Sequence, residues 1–375
     1  MSDEGYKLIQ DWHDYDQSLI STLGEKYYKA QGIKAYSNNV GRFIPNEVSS
    51  CFAHAMSIAK MLEKIDKDKL KVLDLGCGSG IFTRHLALAI KKLGFIDKVE
   101  FILADFSKKA LKDIKSLKVL DPFYKQCTLI EVNALEPQNA KTLDGKNYKL
   151  EGLDFVVMNY LYDALPTKII RPSEQGFEKL QFRFLQEENS PELKIDDKTI
   201  CEDLNLINKL LIDTRWLEYS LDEASDIEKE YFDYVKEEPV NPLGEIIYNY
   251  AALKVTELYL NLLSENGFVY AADMPNRFDS KSSFTIYGNS AAHDVNEALA
   301  INTFVKKGFE VFFHRDTLLN HYFFTKTKAA MLKQEKPINE NFVLSSKTDI
   351  YIDLKQAIGA IASPYSRDLF RMLTQ

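Results

Sequence analysis

Val72-Leu73-Asp74-Leu75-Gly76-Cys77-Gly78-Ser79-Gly80 is the stretch that decides the fold of this chain. A short apolar strand over residues 71–75 runs into three glycines at alternate positions. An amphipathic helix over residues 79–92 follows directly. Glycines let the backbone turn tightly and bring its N–H groups against a ligand. A G-x-G-x-x-G loop would suit a pyrophosphate held on backbone donors. Here the spacing is G-x-G-x-G, and Asp74 stands two positions before the first glycine. An acidic side chain beside such a loop favours a ligand with a cationic end. The plainer alternative is a glycine-rich turn with no ligand.

Working outward, strand and helix alternate. Strands are expected over residues 99–104, 127–132 and 153–158, with a helix reaching about residue 120. The 153–158 segment is uniformly apolar, as a strand buried on both faces should be. This predicts an α/β fold: a seven-stranded, doubly wound, mostly parallel sheet. Residues 1–68 read as an N-terminal helical cap, with Phe52, Met56, Ala59 and Leu62 at helical spacing. After Pro166 the alternation stops for about 75 residues. A structureless loop of that length is improbable in a compact domain, so residues 167–240 are expected to form a helical insertion. The core, 69–166, resumes over 241–326: a helix over 242–266, a strand over 267–272, a helix over 294–307, and closing strands over 309–314 and 318–325. A C-terminal extension, 327–375, carries a helical stretch near 354–361.

Composition bounds the function. The 375 residues are 45% hydrophobic and 27% charged, the profile of a globular protein. No apolar run is long enough to span a bilayer, and the start is polar and acidic. A cytoplasmic protein is therefore expected, although a missing signal argues only against the ordinary secretory route. Cys51, Cys77, Cys127 and Cys201 form no C-x-x-C pair, which argues against zinc and disulfides. The histidines show no metal spacing. Of the net charge of −8, residues 185–240 hold 17 acidic and 6 basic side chains, a balance of −11; the remainder is about +3. There is no Lys/Arg stripe interleaved with aromatics, so nucleic acid is disfavoured as a partner.

The glycine stretch resembles motif I of class I S-adenosylmethionine-dependent methyltransferases. That cofactor has an ammonium and a sulfonium but no phosphate. The resemblance implies that Asp74, Gly76, Cys77, Gly78, Ser79 and Gly80 surround its methionyl part. It also implies that an acidic residue ending the second strand holds the ribose hydroxyls. Asp105, followed by Phe106 and Ser107, occupies that place; Asp105 or Ser107 also suits a helix N-cap. Asn133 and Ala134, after the third strand, match the adenine contact, where the family often has Asp. The product would be S-adenosylhomocysteine.

The fourth strand ends in Asn159-Tyr160-Leu161-Tyr162-Asp163-Ala164-Leu165-Pro166. Ligands bind at the carboxyl ends of such strands. The segment resembles the Asn-Glu-x-x-Asp-Ala-Leu-Pro motif of the MidA-like methyltransferases, whose best-known activity is protein-arginine methylation for respiratory complex I assembly. Tyr160 departs from their Glu. A related group of uncharacterised bacterial and fungal methyltransferases has Asn-Tyr-x-x-Asp-Ser-x-Pro. Residues 287–298 also resemble that group's Gly-Ser-x-Ser-x-x-Val-Asn-Phe-x-Ala segment. The Asn-Pro-Pro-Tyr motif of nucleic-acid amino methyltransferases is a weaker match, since both prolines are missing.

Methyl transfer from a sulfonium is an in-line displacement, so the protein chiefly positions the acceptor and accepts its proton. The candidates are Asp163 to orient or deprotonate the acceptor, Tyr160 and Tyr162 to line the site, Asn159 beside the cofactor, and His293 after the fifth strand. For each there is a bland alternative: a turn residue for Asp163, a surface or core position for His293. Residues 36–45 suit a segment closing over the cofactor with Arg42 near its carboxylate, or a plain interhelical loop. The acidic insertion suits a wall for a basic peptide, or a solvated face. The expected function is methylation of a protein Arg or Lys side chain. The alternatives are a small-molecule methyltransferase and a cofactor-binding scaffold or assembly factor without turnover.

Overall fold

The computed structural model describes residues 5–38, 52–273, 284–315 and 320–326, apart from 192, 194, 204, 239, 242 and 288. In chain order, the first elements are β1 (Tyr6–Asp14), α1 (Leu19–Gln31), α2 (Ile33–Asn38) and α3 (Phe52–Leu62). Next come β2 (Leu70–Leu75), α4 (Ile81–Leu93), β3 (Val99–Asp105), α5 (Lys108–Ser116), β4 (Cys127–Glu131), β5 (Lys141–Thr142) and β6 (Leu153–Asn159). There follow β7 (Lys168–Ser173), β8 (Gly176–Glu187), α6 (Asp197–Glu202), β9 (Leu211–Glu218) and α7 (Asp226–Val235). The last are β10 (Ile246–Tyr248), α8 (Tyr250–Asn261), β11 (Leu263–Asp273), β12 (Phe284–Tyr287), β13 (Ser290–His293), α9 (Glu297–Lys306), β14 (Glu310–Arg315) and β15 (Asn320–Thr325).

The central sheet has the order β14-β15-β11-β6-β2-β3-β4-β5. The run from β11 to β4 is parallel. β15 is antiparallel to β11 and β14, and the two-residue β5 is antiparallel to β4. Seven of these strands are the ones expected; β5 is an added edge. Period-two alternation sends each strand's apolar residues into two cores. Leu73, Leu75, Ile102, Val156 and Val269 face one core, which α7, α8 and α9 cover. Val72, Phe101, Leu103, Phe155 and Phe268 face the other, which α3, α4 and α5 cover. Chain order reverses beside β2, the switch point that opens a crevice at the carboxyl ends of the strands.

Two expectations need correction. Residues 167–240 are not a helical insertion: β7, β8 and β9 hold more of the chain there than the short helices α6 and α7. The cause is visible in β8. Phe182 and Phe184 are buried on one face, while Lys179, Gln181 and Arg183 alternate with them. The interleaved charges hide the period-two pattern behind a polar composition. The apolar spacing of Leu204, Ile207 and Leu211, which suits a helix, does not form one: Ile207 starts a 3₁₀ turn, Leu211 starts β9 and Leu204 lies outside the described residues. The N-terminal cap is also not wholly helical, because Tyr6–Asp14 forms β1 and pairs antiparallel with β8. The N-terminus and the insertion thus build one accessory sheet, ordered β1-β8-β7-β10 with β9 also on β8. Its apolar face packs on α1 and α6 through Leu19, Ile20, Leu23 and Ile200. The helix near residues 354–361 lies outside the described residues. Among the described residues no helix is long and apolar enough to cross a membrane.

Candidate functional site

At the end of β2 the N–H groups of Gly76 and Cys77 both donate to the Ala104 carbonyl of β3, at 2.8 and 3.0 Å. Gly78 N–H donates to Asp105 Oδ2 at 2.9 Å, and Ser107 N–H to Asp105 Oδ1 at 2.8 Å. Asp105 therefore stitches the glycine loop to the end of β3. Gly76 and Gly80 have φ of +72° and +73°. A Cβ on Gly76 would lie 3.2 Å from Leu161 Cδ1, so the glycine loop packs directly against the loop that follows β6.

Two carboxylates are buried here. Asp74 accepts from Thr83 Oγ1 of α4 at 2.6 Å, and burial, with Asp105 nearby, pushes its carboxyl up to about 7. Burial pushes Asp105 up to about 6 against the pull of its backbone donors. Neither has a cationic partner among the described residues. Buried charge without a partner is costly, so the site is short of positive charge. The Cys77 thiol is buried and burial pushes it far up, which leaves it inert; its contribution is backbone.

The remaining cofactor-side candidates divide by what they touch. Ser79 and Phe106 are half-buried, and the Lys29 ammonium lies 5.5 Å from the Phe106 ring. Ser107 caps α5, accepting from Ala110 N–H at 3.3 Å, and its hydroxyl donates to the Tyr28 carbonyl of α1 at 3.1 Å. Asn133 is exposed; its side-chain carbonyl accepts Leu135 N–H at 3.1 Å, and Ala134 packs on the core beside it. Arg42 lies outside the described residues.

On the acceptor side, Asn159 is half-buried at the end of β6. Tyr160 holds a left-handed backbone, φ +51°, and its N–H donates to the Ala272 carbonyl of β11 at 2.8 Å. A non-glycine residue at such an angle at a strand end is a mark of functional sites. Tyr162 does not line the crevice: it is buried against Tyr322, and its hydroxyl pairs with Thr256 of α8. Asp163 N–H donates to Asp273 Oδ2 at 3.2 Å, and burial lifts the Asp163 carboxyl well above the usual carboxylate range. His293 is buried with both ring nitrogens engaged. Nε2 meets the Leu165 carbonyl at 2.8 Å, and Nδ1 meets the Asp294 carbonyl at 3.0 Å and Asn249 Nδ2 at 3.2 Å. Burial holds its pKa down. His293 thus braces the Asp163 loop and has no nitrogen left over to act as a base.

The sequence reading missed three residues of this region. Asp273 ends β11 as Asp105 ends β3, a positional signal that could have found it. Tyr15 comes from the accessory sheet: its ring meets His293 edge-on at 5.9 Å, and the Asp163 and Asp294 carboxylates raise its phenol further after burial has done so. Asn249 joins Thr167, His293 and Asn296 in one buried knot.

Residues 66–171 match the family model of a methyltransferase domain. An uncharacterised protein from Burkholderia thailandensis superposes with a TM-score of 0.56 at 12% identity, over 87% of this chain and 91% of its own. A second B. thailandensis protein of the same superfamily, crystallised with S-adenosylhomocysteine, gives a TM-score of 0.52 at 11% identity, over 85% and 95%. At these identities the likeness is one of fold. No curated protein matches this sequence.

Proposed function

We propose that the chain, a Rossmann-like S-adenosylmethionine-dependent methyltransferase, acts on a basic side chain, arginine or lysine, of a protein. The cofactor fits what is present. Two buried carboxylates that lack cations, Asp74 and Asp105, are complementary to a ligand bearing a sulfonium and an ammonium. The loop from Gly76 to Gly80 would hold its methionyl part, Asp105 its ribose, and Phe106, Asn133 and Ala134 its adenine, with Asn159 alongside. When bound, it supplies a methyl group already activated for in-line displacement.

The acceptor reading rests on one observation: the loop after β6 brings Asp163 to the carboxyl edge of the sheet beside the buried Asp273, whose carboxylate accepts the Asp163 N–H. Gly76 packs on Leu161 of the same loop. Such an edge favours a cationic acceptor and repels an anionic one. A carboxyl lifted toward neutrality is suited to take the proton that a guanidinium or ammonium must lose. In this proposal Asp163 accepts that proton, Tyr160 flanks the acceptor, and His293 positions the loop through the Leu165 carbonyl.

The test is incubation of the pure protein with methyl-tritiated cofactor and a cell lysate, beside an Asp74→Ala control. Acid-precipitable, protease-sensitive label that the control lacks supports a protein acceptor. Label confined to acid-soluble material overturns it in favour of a small molecule. Cofactor binding with no label in any fraction points to a scaffold.

A further inference from the structure

The accessory sheet encloses a second polar chamber that the methyl-transfer reading does not use. A cavity of about 450 Å³ lies between the end of β1, the start of β7, the middle of β8 and the loop leading into α7. That volume is typical of small-molecule sites, which run from roughly 300 to 1,000 Å³. Its floor consists of Lys168, Asp14, Gln181 and Glu228, each under one-tenth exposed.

The floor is satisfied from within. Lys168 Nζ lies 2.6 Å from Asp14, 3.4 Å from Asp16 and 3.3 Å from Glu228, which uses all its donors. Asp14 also accepts from Lys179 at 3.0 Å and Gln181 at 2.9 Å. Glu228 accepts from Tyr219 at 2.8 Å and Ser225 at 2.6 Å. Unused capacity sits in the wall and at the mouth. Lys179 Nζ has Asp14 as its one hydrogen-bond partner among the described residues, which leaves two of its N–H groups. The Glu223 carboxylate is exposed at the mouth and makes no ion pair among the described residues. Trp12 and Tyr219 supply apolar wall, and Trp12 is fixed by the Arg183 and Arg215 guanidinium groups at 4.9 and 4.4 Å from its ring.

Charge decides the ligand class. Among the residues that line the cavity Lys168 and Lys179 balance Asp14 and Glu228, while Asp16 sits behind Lys168, off the lining, where burial favours its neutral acid; the lining therefore offers no surplus of either sign. A lone anion would gain Lys179 but face the floor carboxylates and Glu223. A lone cation would gain Glu223 and meet Lys179. A ligand carrying both charges satisfies both open groups at once.

We propose that this cavity binds a small zwitterion bearing a carboxylate and an ammonium, a free α-amino acid or a short peptide, with its carboxylate on Lys179, its ammonium toward Glu223 and its apolar part on Trp12 and Tyr219. This site stands independently of the acceptor reading.

Isothermal titration of the full chain with the twenty free amino acids and with glycyl dipeptides tests it. The expected result is saturable binding that falls at least tenfold for the carboxamide and N-acetyl forms of the same ligand, and at least tenfold in Lys179→Met. Tighter binding of the free amino acids marks a metabolite site; tighter binding of the dipeptides marks a peptide site. Glu223→Gln, a change of an exposed side chain, should weaken the zwitterion while leaving its N-acetyl form unaffected, so the proposal stays testable if Lys179→Met folds poorly. Cofactor affinity reports folding in both variants. No saturable binding by any of these ligands, equal binding of the blocked forms, or unchanged binding in Glu223→Gln overturns the proposal.

Discussion

Cofactor binding should release protons, and the amount follows from Asp74 and Asp105. The rise of Asp74 from its ordinary 3.8 to about 7 corresponds to a preference for the neutral acid of roughly 4 kcal/mol in the ligand-free protein. With Asp105 near 6, the pair carries roughly 1.7 protons at about pH 5.5 and roughly 0.3 at about pH 7.5. The cofactor carries a sulfonium, an ammonium and one carboxylate; its two cationic groups select the ionised pair, so its affinity should rise about 100-fold over that interval. Stability of the ligand-free protein runs the other way. Both groups titrate higher when folded than when unfolded, so the folded state binds more protons between about pH 4 and 7, and stability falls as pH rises through that window. Calorimetry in two buffers of different ionisation enthalpy reads the proton count directly. Asp74→Asn keeps an acceptor for Thr83 and removes one titration. It should release fewer than one proton at about pH 5.5 and lose about ten- to a hundredfold in affinity at about pH 7.5. Its ligand-free melting temperature at that pH should equal or exceed the parent's. S-adenosylhomocysteine, with no charge on sulfur, should show a smaller rise in affinity. If the parent protein releases no protons at about pH 5.5, both carboxylates are already ionised; if Asp74→Asn releases as many as the parent, Asp74 does not titrate on binding; either result refutes the reasoning.

Asp163→Asn should lower kcat by about 10² to 10⁴-fold and abolish the rise of rate with pH, while calorimetry finds cofactor affinity within about twofold of the parent. Gly76→Ala should weaken cofactor binding and turnover together, since a methyl there is strained at φ +72° and presses on Leu161. Ser107→Ala removes the cap of α5 and the bond to Tyr28, a loss of about 1 kcal/mol by urea denaturation. Gly267→Ala would place Cβ 2.6 Å from the Leu153 carbonyl, backbone that cannot easily give way. It should cost about 1–3 kcal/mol without shifting the pH dependence of activity.

The parts of the fold legible in the sequence were those with one dominant period. β2, β3, β6 and β11 are buried on both faces, so their apolar runs need no outside information to be read. The place of Asp105 at the end of β3 was legible from the strand's apolar run and the family resemblance; its bond to Gly78, 27 residues away, was not. Nor was the accessory sheet. In β8 the charged Lys179 and Arg183 on one face are as frequent as Phe182 and Phe184 on the other, so the polar composition masks the strand period. β1 gains its identity only by pairing with β8, some 170 residues away, a contact that no local window contains. Tyr15 and Asn249 were missed for the same reason, since each reaches His293 through tertiary packing alone.

That long-range pairing changes what the insertion does. A lid would contact the Asp163 loop at one point and swing about it. Here the loop is pinned at two points that follow its turn. At Leu165 it is held by His293, itself fixed by Asn249. At Lys168, the first residue of β7, it is held by Asp14 and Asp16 from the N-terminal segment and by Glu228 from α7. Burial works against the Lys168 charge, but the three carboxylates outweigh it and raise its pKa. A buried cluster of this kind contributes little net stability, and apolar residues of similar volume often do as well. What it supplies is position. The turn Asp14-Tyr15-Asp16 sends its two carboxylates to Lys168 and its ring to His293, so one three-residue segment sets both anchors of the loop that bears Asp163. Joining the N-terminus and the insertion in one sheet is thus how this fold holds a short loop rigid against its glycine turn, where a displacement of even an ångström would degrade an in-line transfer.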